Sequence, residues 1–542
     1  MSELIKSISK KEWWLVGLLA LLVIIITASP FVYGYIVSVK EDLVFSGIHH
    51  YAPGDTNVFL SMIEQVKQGN NVFINLYTSE PQLRAQINPL WLSVGWLAKL
   101  FNLPNLLALH IARSLWIMIF CFVAYLFIAY FFQDKIKRKI IIIFILFSSG
   151  LGFLFNQILY DQNNIYEHPT DIWVTESITF STLFHSPHLI ASLTLIILTF
   201  LLMLMSFEKN KYLYSVLGGF SCLLMLSFHP FNGPTIYGVL GVYLLFLFIK
   251  NKKIMWTYLK HFAILCLIPL PAVLYYFLIY EADEIVRNWN AQNILPSPSV
   301  WMYLIGYGLL LSLLIFGIWK IVKKYDQKRI FIVLWFFTSA VLLYIPLSFQ
   351  RRLSEGLHIP IAILAAIGII SILNYISQKR GQNSNLIVGL IIFFSIFLPM
   401  TNLQVIGQDF YLFTKSKDNP YYFYMYQGEK EAMNWLRDNL SKEEKVFSSM
   451  LTGNFIPAYS GRVVWIGHSP QTADLANKIE LQNWFWENDS EIEKKYDLLK
   501  SYDLDYLYYG GEEKNLGTFD PATKNYLREV FWNNEVVIYK VL

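Results

Sequence analysis

The stretch HHYAPGDTNVFLSMIEQVKQGNNVFINLYTSEPQLRAQINP (49–89) decides the fold of this chain, because it is the first long polar segment and lies between two strongly apolar ones. Within it Pro53 and Gly54, a turn-forming pair, directly precede Asp55. The residues that follow have the apolar spacing of a short amphipathic helix, which can lie on a membrane surface. A second amphipathic stretch runs over residues 90–101. We therefore expect helices that hold the Asp55 carboxylate at a membrane face. The alternative is that Asp55 only caps the first helix.

The composition is that of a membrane protein. Of the 542 residues, 55% are hydrophobic and only 15% are charged, whereas soluble proteins average about 25% charged residues. The net charge of +4 is small, and we expect no nucleic-acid partner. The cysteines Cys121, Cys222 and Cys266 all fall in apolar runs, so they give neither a disulfide framework nor a metal-binding spacing.

Apolar runs long enough to cross a bilayer recur along the first 403 residues. A span needs about 20 residues to cross a hydrocarbon core of roughly 30 Å. Eleven spans are predicted, at 13–37, 104–132, 139–155, 187–207, 213–229, 234–249, 257–280, 300–322, 330–348, 357–375 and 386–403. The first is too long for a cleavable signal peptide and lacks a cleavage site, so we interpret it as a signal anchor.

Lysine and arginine concentrate at the N-terminus and in alternate loops. The basic loops are 133–139, 207–211, 250–253, 323–329 and 377–382. The positive-inside rule places this side in the cytoplasm, which puts the segment after residue 403 outside. The predicted spans carry no acid at mid-depth, which argues against an ion-coupled transporter.

The outward loops collect titratable residues, as expected of a binding or catalytic face. The second of these loops and the start of the next span supply Asp161, Glu167, Asp171, Glu176, His185 and His188. His229 ends the fifth span on the same face. His185 and His188 could bind a metal, but spacing supplies no third ligand, so hydrogen bonding to a substrate or helix capping is favoured.

The fifth outward loop, FQRRLSEGLHIP (349–360), places Arg351 and Arg352 outside, against the positive-inside trend. The planar guanidinium group suits phosphate oxygens and stays charged in a partly dry site. We interpret the pair as a phosphate or pyrophosphate site. The alternatives are that the arginines pair with Glu355 or contact lipid headgroups.

From residue 404 the composition becomes that of a soluble α/β domain. Amphipathic helices are predicted over 429–439, 473–486 and 491–501, and strands over 445–448, 462–465, 505–509 and 536–541. The turns at Gly453-Asn454 and at GHSP (467–470) face the same side as strand ends, but neither matches a phosphate-binding loop. We expect a lid or recognition domain here rather than the catalytic centre.

Taken together, this pattern resembles the membrane-embedded glycosyltransferases of the C fold (GT-C). That group contains the protein O-mannosyltransferases and the aminoarabinose transferase of lipid A. The resemblance rests on the eleven spans, the acidic first outer loop, the acids of the second loop and the outward C-terminal segment. WLRDNL, GNFIPAYSGR and DYLYYG in that segment look like the tails of an uncharacterised bacterial branch. The mannosyltransferases carry an adjacent Asp-Glu pair where this chain has Asp55-Thr56.

The resemblance implies an all-α polytopic membrane bundle of about 11 transmembrane helices over 1–403, with a catalytic first outer loop at 38–89. An extracytoplasmic α/β domain over 404–542 would follow. The protein would lie in a bacterial cell membrane with its N-terminus in the cytoplasm. It would move a sugar from a polyprenyl-phosphate donor to a glycan, lipid or protein acceptor, with Asp55 as general base. A divalent metal is compatible with this chemistry, although no metal ligand is assigned.

The remaining candidate site residues would bind donor or acceptor. They are Arg84, Asp171, Glu176, His185, His188, His229, Arg351, Arg352 and Glu355. Two other functions are compatible with the same residues. One is a non-catalytic protein that binds or transports a polyprenyl-linked glycan, and the other is a membrane scaffold whose outer domain binds partners.

Overall fold

A computed structural model of the chain describes residues 1–158, 162–324, 326–381, 385–418, 420 and 422–542. The candidate acid Asp161 lies outside the described residues. The chain divides into two compact units. Unit 1 comprises Met1–Ser29, Ile111–Leu274 and Leu295–Gln408, and unit 2 comprises Pro30–His110, Tyr275–Ile294 and Asp409–Leu542. Unit 2 thus contains the whole first outer loop, 38–89, and the C-terminal segment from Asp409 onward.

Helices dominate the described part of the chain up to residue 415. They are α1 (Ser2–Lys6), α2 (Lys10–Lys40), α3 (Pro53–Lys67), α4 (Pro89–Leu100), α5 (Asn105–Phe131), α6 (Lys135–Phe147), α7 (Thr170–Trp173), α8 (Thr179–His185), α9 (Pro187–Lys209), α10 (Tyr212–Leu226), α11 (Gly233–Asn251), α12 (Trp256–Leu267), α13 (Leu270–Ala282), α14 (Glu284–Gln292), α15 (Val300–Tyr307), α16 (Leu309–Lys324), α17 (Gln327–Leu342), α18 (His358–Arg380), α19 (Asn385–Phe397) and α20 (Met400–Lys415).

Within the described ranges, seven helical runs are long and apolar enough to cross a membrane. They are Lys10–Lys40, Asn105–Phe131, Lys135–Phe155, Pro187–Lys209, Pro230–Asn251, Gln350–Lys379 and Asn385–Lys415. Two bent pairs, α12 with α13 and α15 with α16, bring the number to nine if each pair is one span. The chain is therefore an integral membrane protein.

Every one of the eleven predicted spans contains a helix, but two of the spans contain only a short helix that joins no neighbour in a longer run. α10 and α17 have 15 and 16 residues, fewer than the roughly 20 that a straight span requires. These two helices account for the difference between the eleven predicted spans and the nine that the described residues support. The count of eleven and the orientation of the spans stay predictions.

The core of unit 1 forms around α9, which is buried along nearly its whole length. Phe200 on α9 lies against Trp335 and Phe331 of α17, with ring centroids 4.9 and 5.4 Å apart. Phe127 of α5 meets the edge of Trp335 at 5.8 Å. A helix that is apolar all round is expected at such a central position, since every face contacts protein.

Unit 2 contains two sheets. In the smaller one β1 (Leu43–Phe45) pairs antiparallel with β2 (Tyr424–Tyr426). The larger sheet has the strand order β4-β3-β5-β7-β6. Its strands are β3 (Lys445–Phe447), β4 (Val463–Val464), β5 (Tyr506–Tyr509), β6 (Leu527–Trp532) and β7 (Val537–Val541). β3 pairs parallel with β4 and β5, and β7 pairs antiparallel with β5 and β6.

Five helices accompany the larger sheet. They are α21 (Gln427–Asn439), α22 (Met450–Ser460), α23 (Leu475–Glu487), α24 (Ile492–Ser501) and α25 (Gly511–Leu516). Four of the strands and three of the helices lie where the sequence predicts them. The sequence does not predict β6, because only one of its six residues is buried and its pattern is weak. α22 was not predicted because its Gly453-Asn454 pair indicated a turn, whereas both residues are helical and buried.

The predicted helices of the first outer loop are α3 and α4. Phe59 of α3 stacks on Trp91 of α4 with ring centroids 4.7 Å apart. α3 also packs against α22, and most of its residues from Thr56 to Val66 are buried. Protein therefore surrounds most of α3, so its position depends on packing inside unit 2.

Candidate active site

Asp55 lies in the first turn of α3, and its carboxylate is accessible. The N-cap of α3 is Ala52, in the left-handed conformation, so Asp55 is not the cap residue. The side chain of Asp55 is 43% exposed. One carboxylate oxygen, Oδ1, lies 3.0 Å from Nε2 of His468, whose side chain is buried. The start of a helix favours a negative charge, which suits an ionised carboxylate at this position.

Two glycines bring His468 to Asp55. His468 follows β4 and the segment Trp465–Gly467, which passes α22 at very short range. A Cβ atom on Gly467 would lie 2.5 Å from the carbonyl oxygen of Gly453, and one on Gly453 would lie 2.0 Å from the carbonyl oxygen of Ile466. Both separations are too short for a side chain, so only glycine permits this approach.

The start of α3 is fixed from the same side. Asn454 on α22 accepts a 2.7 Å hydrogen bond at Oδ1 from Nδ2 of Asn57. A Cβ atom on Gly54 would lie 2.9 Å from the imidazole ring of His468. The backbone before Asp55 therefore packs directly on the histidine. The sequence predicts turns at Asn454 and at His468. No feature of the sequence predicts that these two residues contact the first outer loop.

The second half of the first outer loop runs beside the same turn. The amide of Val464 donates to the carbonyl of Leu76 at 2.9 Å, and the Thr472 hydroxyl donates to the carbonyl of Tyr77 at 3.0 Å. Arg84, from the end of this loop, lies on the surface. Its Nη2 is 3.4 Å from Oε1 of Glu443, with side chains 62% and 69% exposed. Such an exposed ion pair adds little stability.

Unit 1 holds a separate group of charged side chains around Arg351 and Arg352. Both lie in a short 3-10 helix, Gln350–Ser354. The Arg351 guanidinium lies 5.0 Å from the ring centroid of Trp173, and that of Arg352 lies 4.1 Å from Phe231. The electron-rich faces of these rings favour the cations. The buried Nε of Arg351 has no hydrogen-bond partner among the described residues.

The charges of Arg351 and Arg352 act on the buried carboxyl group of Glu176. Burial tends to raise the pKa of its carboxyl, but the positive charges of Arg351 and Arg352, together with hydrogen bonds to the carboxylate, hold that pKa below its usual range. The Thr175 hydroxyl donates a 2.9 Å hydrogen bond to it. Two guanidinium groups and one carboxylate leave a net positive charge in this trio, as an anion site requires.

Glu355 contacts an asparagine and a histidine of unit 1. Its Oε2 accepts a 2.7 Å hydrogen bond from Nδ2 of Asn232 and lies 3.0 Å from Nε2 of His229. The ring of His229 is 5.6 Å from that of His188, which lies 6.5 Å from that of His185. The structure thus brings these three predicted histidines together beside a buried acid.

Asp171 has a different environment. It is buried, and its Oδ2 accepts hydrogen bonds from the amides of Gly150 and Gly152 at 3.1 and 3.0 Å. Burial raises the pKa of its carboxyl to about 7, although these hydrogen bonds oppose the change. Its described contacts are those of a group that holds the 150–152 backbone.

Comparison with known proteins identifies the fold. No family model and no curated protein sequence matches the chain.

Among solved structures, the Archaeoglobus fulgidus oligosaccharyltransferase superimposes with a TM-score of 0.59 at 14% identity, over 92% of this chain and 70% of that one. ArnT from Cupriavidus metallidurans, bound to undecaprenyl phosphate, gives 0.53 at 11% identity, over 96% and 98%. A variant of the mycobacterial arabinofuranosyltransferase AftD gives 0.55 at 11% identity, over 98% of this chain but 42% of that one. These three structures are GT-C glycosyltransferases, and the present chain has the GT-C fold.

Proposed function

We propose that this protein is a membrane glycosyltransferase that moves a sugar from a polyprenyl-phosphate donor to an acceptor hydroxyl, with Asp55 as general base. The observation that carries the proposal is the accessible Asp55 carboxylate, 3.0 Å from buried His468 at the start of a packed helix. The fold supports the same reaction class. The donor class is supported by ArnT, solved with undecaprenyl phosphate, and by the archaeal oligosaccharyltransferase, solved with dolichol-phosphate.

In the proposed step the acceptor oxygen attacks the anomeric carbon of the sugar. Asp55 takes the proton of the acceptor hydroxyl as the new carbon–oxygen bond forms. The bond from the anomeric carbon to the phosphate oxygen breaks, and its electron pair leaves with the polyprenyl phosphate. A phosphate is a stable leaving group, so it needs cations rather than a proton donor.

His468 is a positioning residue in this scheme. Its ring is buried and contacts Asp55 Oδ1. An imidazole N–H directed at this oxygen would fix the carboxylate rotamer in which Asp55 accepts a proton. This arrangement follows the general pattern of a base that is oriented by a third group.

Arg351 and Arg352 are proposed to bind the phosphate. Their guanidinium groups lie on aromatic faces, their trio with Glu176 is net positive, and Arg351 Nε is unpartnered among the described residues. Charge-assisted hydrogen bonds to phosphate are among the strong ones in proteins. The histidine and Glu355 group of unit 1 would bind hydroxyls. Arg84 and Asp171 stay weaker candidates, one exposed and the other bonded to backbone amides.

The test is a transfer assay with the purified protein in nanodiscs. A panel of radiolabelled polyprenyl-phosphate hexoses and pentoses is incubated with glycan, lipid and peptide acceptors. We expect one donor to lose its sugar to an acceptor in a protein-dependent reaction. In the cell this reaction would take place at the outer face of a bacterial membrane. Donor binding without turnover for any acceptor would favour a carrier of polyprenyl-linked glycans. Absence of donor binding throughout the panel would contradict the proposal.

A further inference from the structure

Three potential metal ligands meet in unit 2, apart from the contact between Asp55 and His468. His49 and His50 follow β1, and Asp409 lies in the second half of α20. One ligand atom from each residue lies within 4.8 Å of those of the other two. His49 and Asp409 are buried, and His50 is nearly so. Among the described residues this is the one group of three histidine, cysteine or acidic side chains with such geometry.

Asp409 already holds His50 in place. Its Oδ1 accepts a 3.0 Å hydrogen bond from the His50 amide and lies 2.7 Å from Nδ1 of the same ring. A bound ion would take the place of the proton that this nitrogen and this oxygen share. The ring of Tyr51 lies 4.4 Å from that of His50 and restricts it further.

One carboxylate oxygen of the group remains unsatisfied. Asp409 Oδ2 is buried and has no hydrogen-bond partner in the described part of the chain. A buried polar atom without a partner costs roughly 1–3 kcal/mol, so a ligand or water is expected beside it. An ion bound by Asp409 and by Nδ1 of His50 would satisfy this oxygen.

From these observations we propose that His49, His50 and Asp409 bind a divalent transition-metal ion of the zinc type. Two imidazoles and one carboxylate are a common three-ligand set for Zn²⁺, which leaves a fourth position for water. Mg²⁺ and Ca²⁺ prefer oxygen ligands and fit this set poorly. No thiolate belongs to the group, which disfavours Cu⁺ and iron–sulfur centres.

The site would fasten the first outer loop to α20. His50 and Asp409 are 359 residues apart in the chain, and the loop from His50 reaches Asp55 within five residues. An ion bound to the folded chain but not to the unfolded one stabilises the folded state by mass action. The metal would therefore order the segment that precedes Asp55 without taking part in transfer.

Metal binding by the full-length protein in nanodiscs tests this proposal independently of activity. The protein is stripped with a chelator, titrated with Zn²⁺ and then with Co²⁺, and analysed for bound metal, cobalt absorption and thermal unfolding. We expect one ion per chain, a cobalt spectrum without thiolate charge transfer, and a Tm that rises with Zn²⁺. Asp409→Asn and His50→Gln should each weaken binding by at least about tenfold.

The control is His261→Gln, which alters a histidine of unit 1 that hydrogen-bonds Asn210. It should bind metal as the wild type does. If a site variant fails to fold, the wild-type titration and cobalt spectrum still decide. Failure of the wild type to bind one ion, equal binding by the folded site variants, or a thiolate spectrum would each overturn the proposal. The His50–Asp409 pair would then be a structural hydrogen bond.

Discussion

The two units of this protein hold their charged residues in different ways. In unit 1, Arg351 and Arg352 lie on aromatic rings next to buried Glu176, and Glu355 is completely buried beside His229. In unit 2, Asp55 is 43% exposed, and one buried histidine contacts it. Packed charges with a net positive sum suit the fixed binding of an anion. A partly exposed carboxylate suits proton transfer to and from a substrate.

The largest of the binding effects should come from unit 1. The double variant Arg351→Ala, Arg352→Ala removes both guanidinium groups, each expected to contribute about 1.5–3 kcal/mol to hydrogen bonds with a charged phosphate. We expect donor affinity to fall by at least about a hundredfold in a nanodisc binding titration. Arg437→Ala, which removes an exposed arginine paired with its neighbour Asp438, is the matched control and should leave the Kd unchanged. Unchanged donor affinity in the double variant would show that these two arginines do not bind the donor phosphate.

A second prediction concerns the buried acid Asp171 of unit 1. Its folded-state pKa of about 7 lies above the unfolded value, so the folded state binds more protons and stability falls as pH rises. Between pH 5 and pH 8 this loss amounts to roughly 2–3 kcal/mol. Asp171→Asn removes the titration while keeping an oxygen acceptor. The Tm of the variant relative to wild type should therefore increase over that pH range. A pH-independent difference would show that Asp171 is not the buried titrating group.

A smaller effect is expected from His468, the residue that the structure adds to the site. His468→Phe removes the contact to Asp55 Oδ1 but keeps a flat ring in the buried space. A single hydrogen bond contributes about 1 kcal/mol or somewhat more to a charged partner, so kcat should fall roughly threefold to tenfold. Donor Kd should not change, because the donor phosphate is assigned to unit 1. A change in donor Kd with kcat preserved would contradict the positioning role.

The sequence predicted the local features of the site and missed the distant ones. The helix after Asp55 and four of the five strands of the larger sheet are encoded by short-range spacing, so they were predictable. The contact of Asp55 with His468 joins residues more than 400 positions apart, and it depends on a glycine–glycine approach that no periodicity reveals. Arg84 was selected by charge alone, and the structure places it in an exposed ion pair.

The buried acids could not be sorted from the sequence for a similar reason. Asp171 and Glu176 are five residues apart in one loop, yet one bonds backbone amides and the other faces two arginines. Their opposite pKa changes come from these surroundings and not from local sequence. The sequence also did not show which helices are too short for a span, because hydropathy locates an apolar run and does not show where its helix ends.

The most direct test of the account is single-turnover transfer by Asp55→Asn with donor already bound. The variant retains the shape of the side chain and loses the base, whereas the arginines of unit 1 are unaltered. We predict wild-type donor affinity together with a transfer rate reduced by about a hundredfold or more. Transfer at the wild-type rate would contradict the assignment of Asp55 as general base. Loss of donor binding along with transfer would show that Asp55 binds the donor instead.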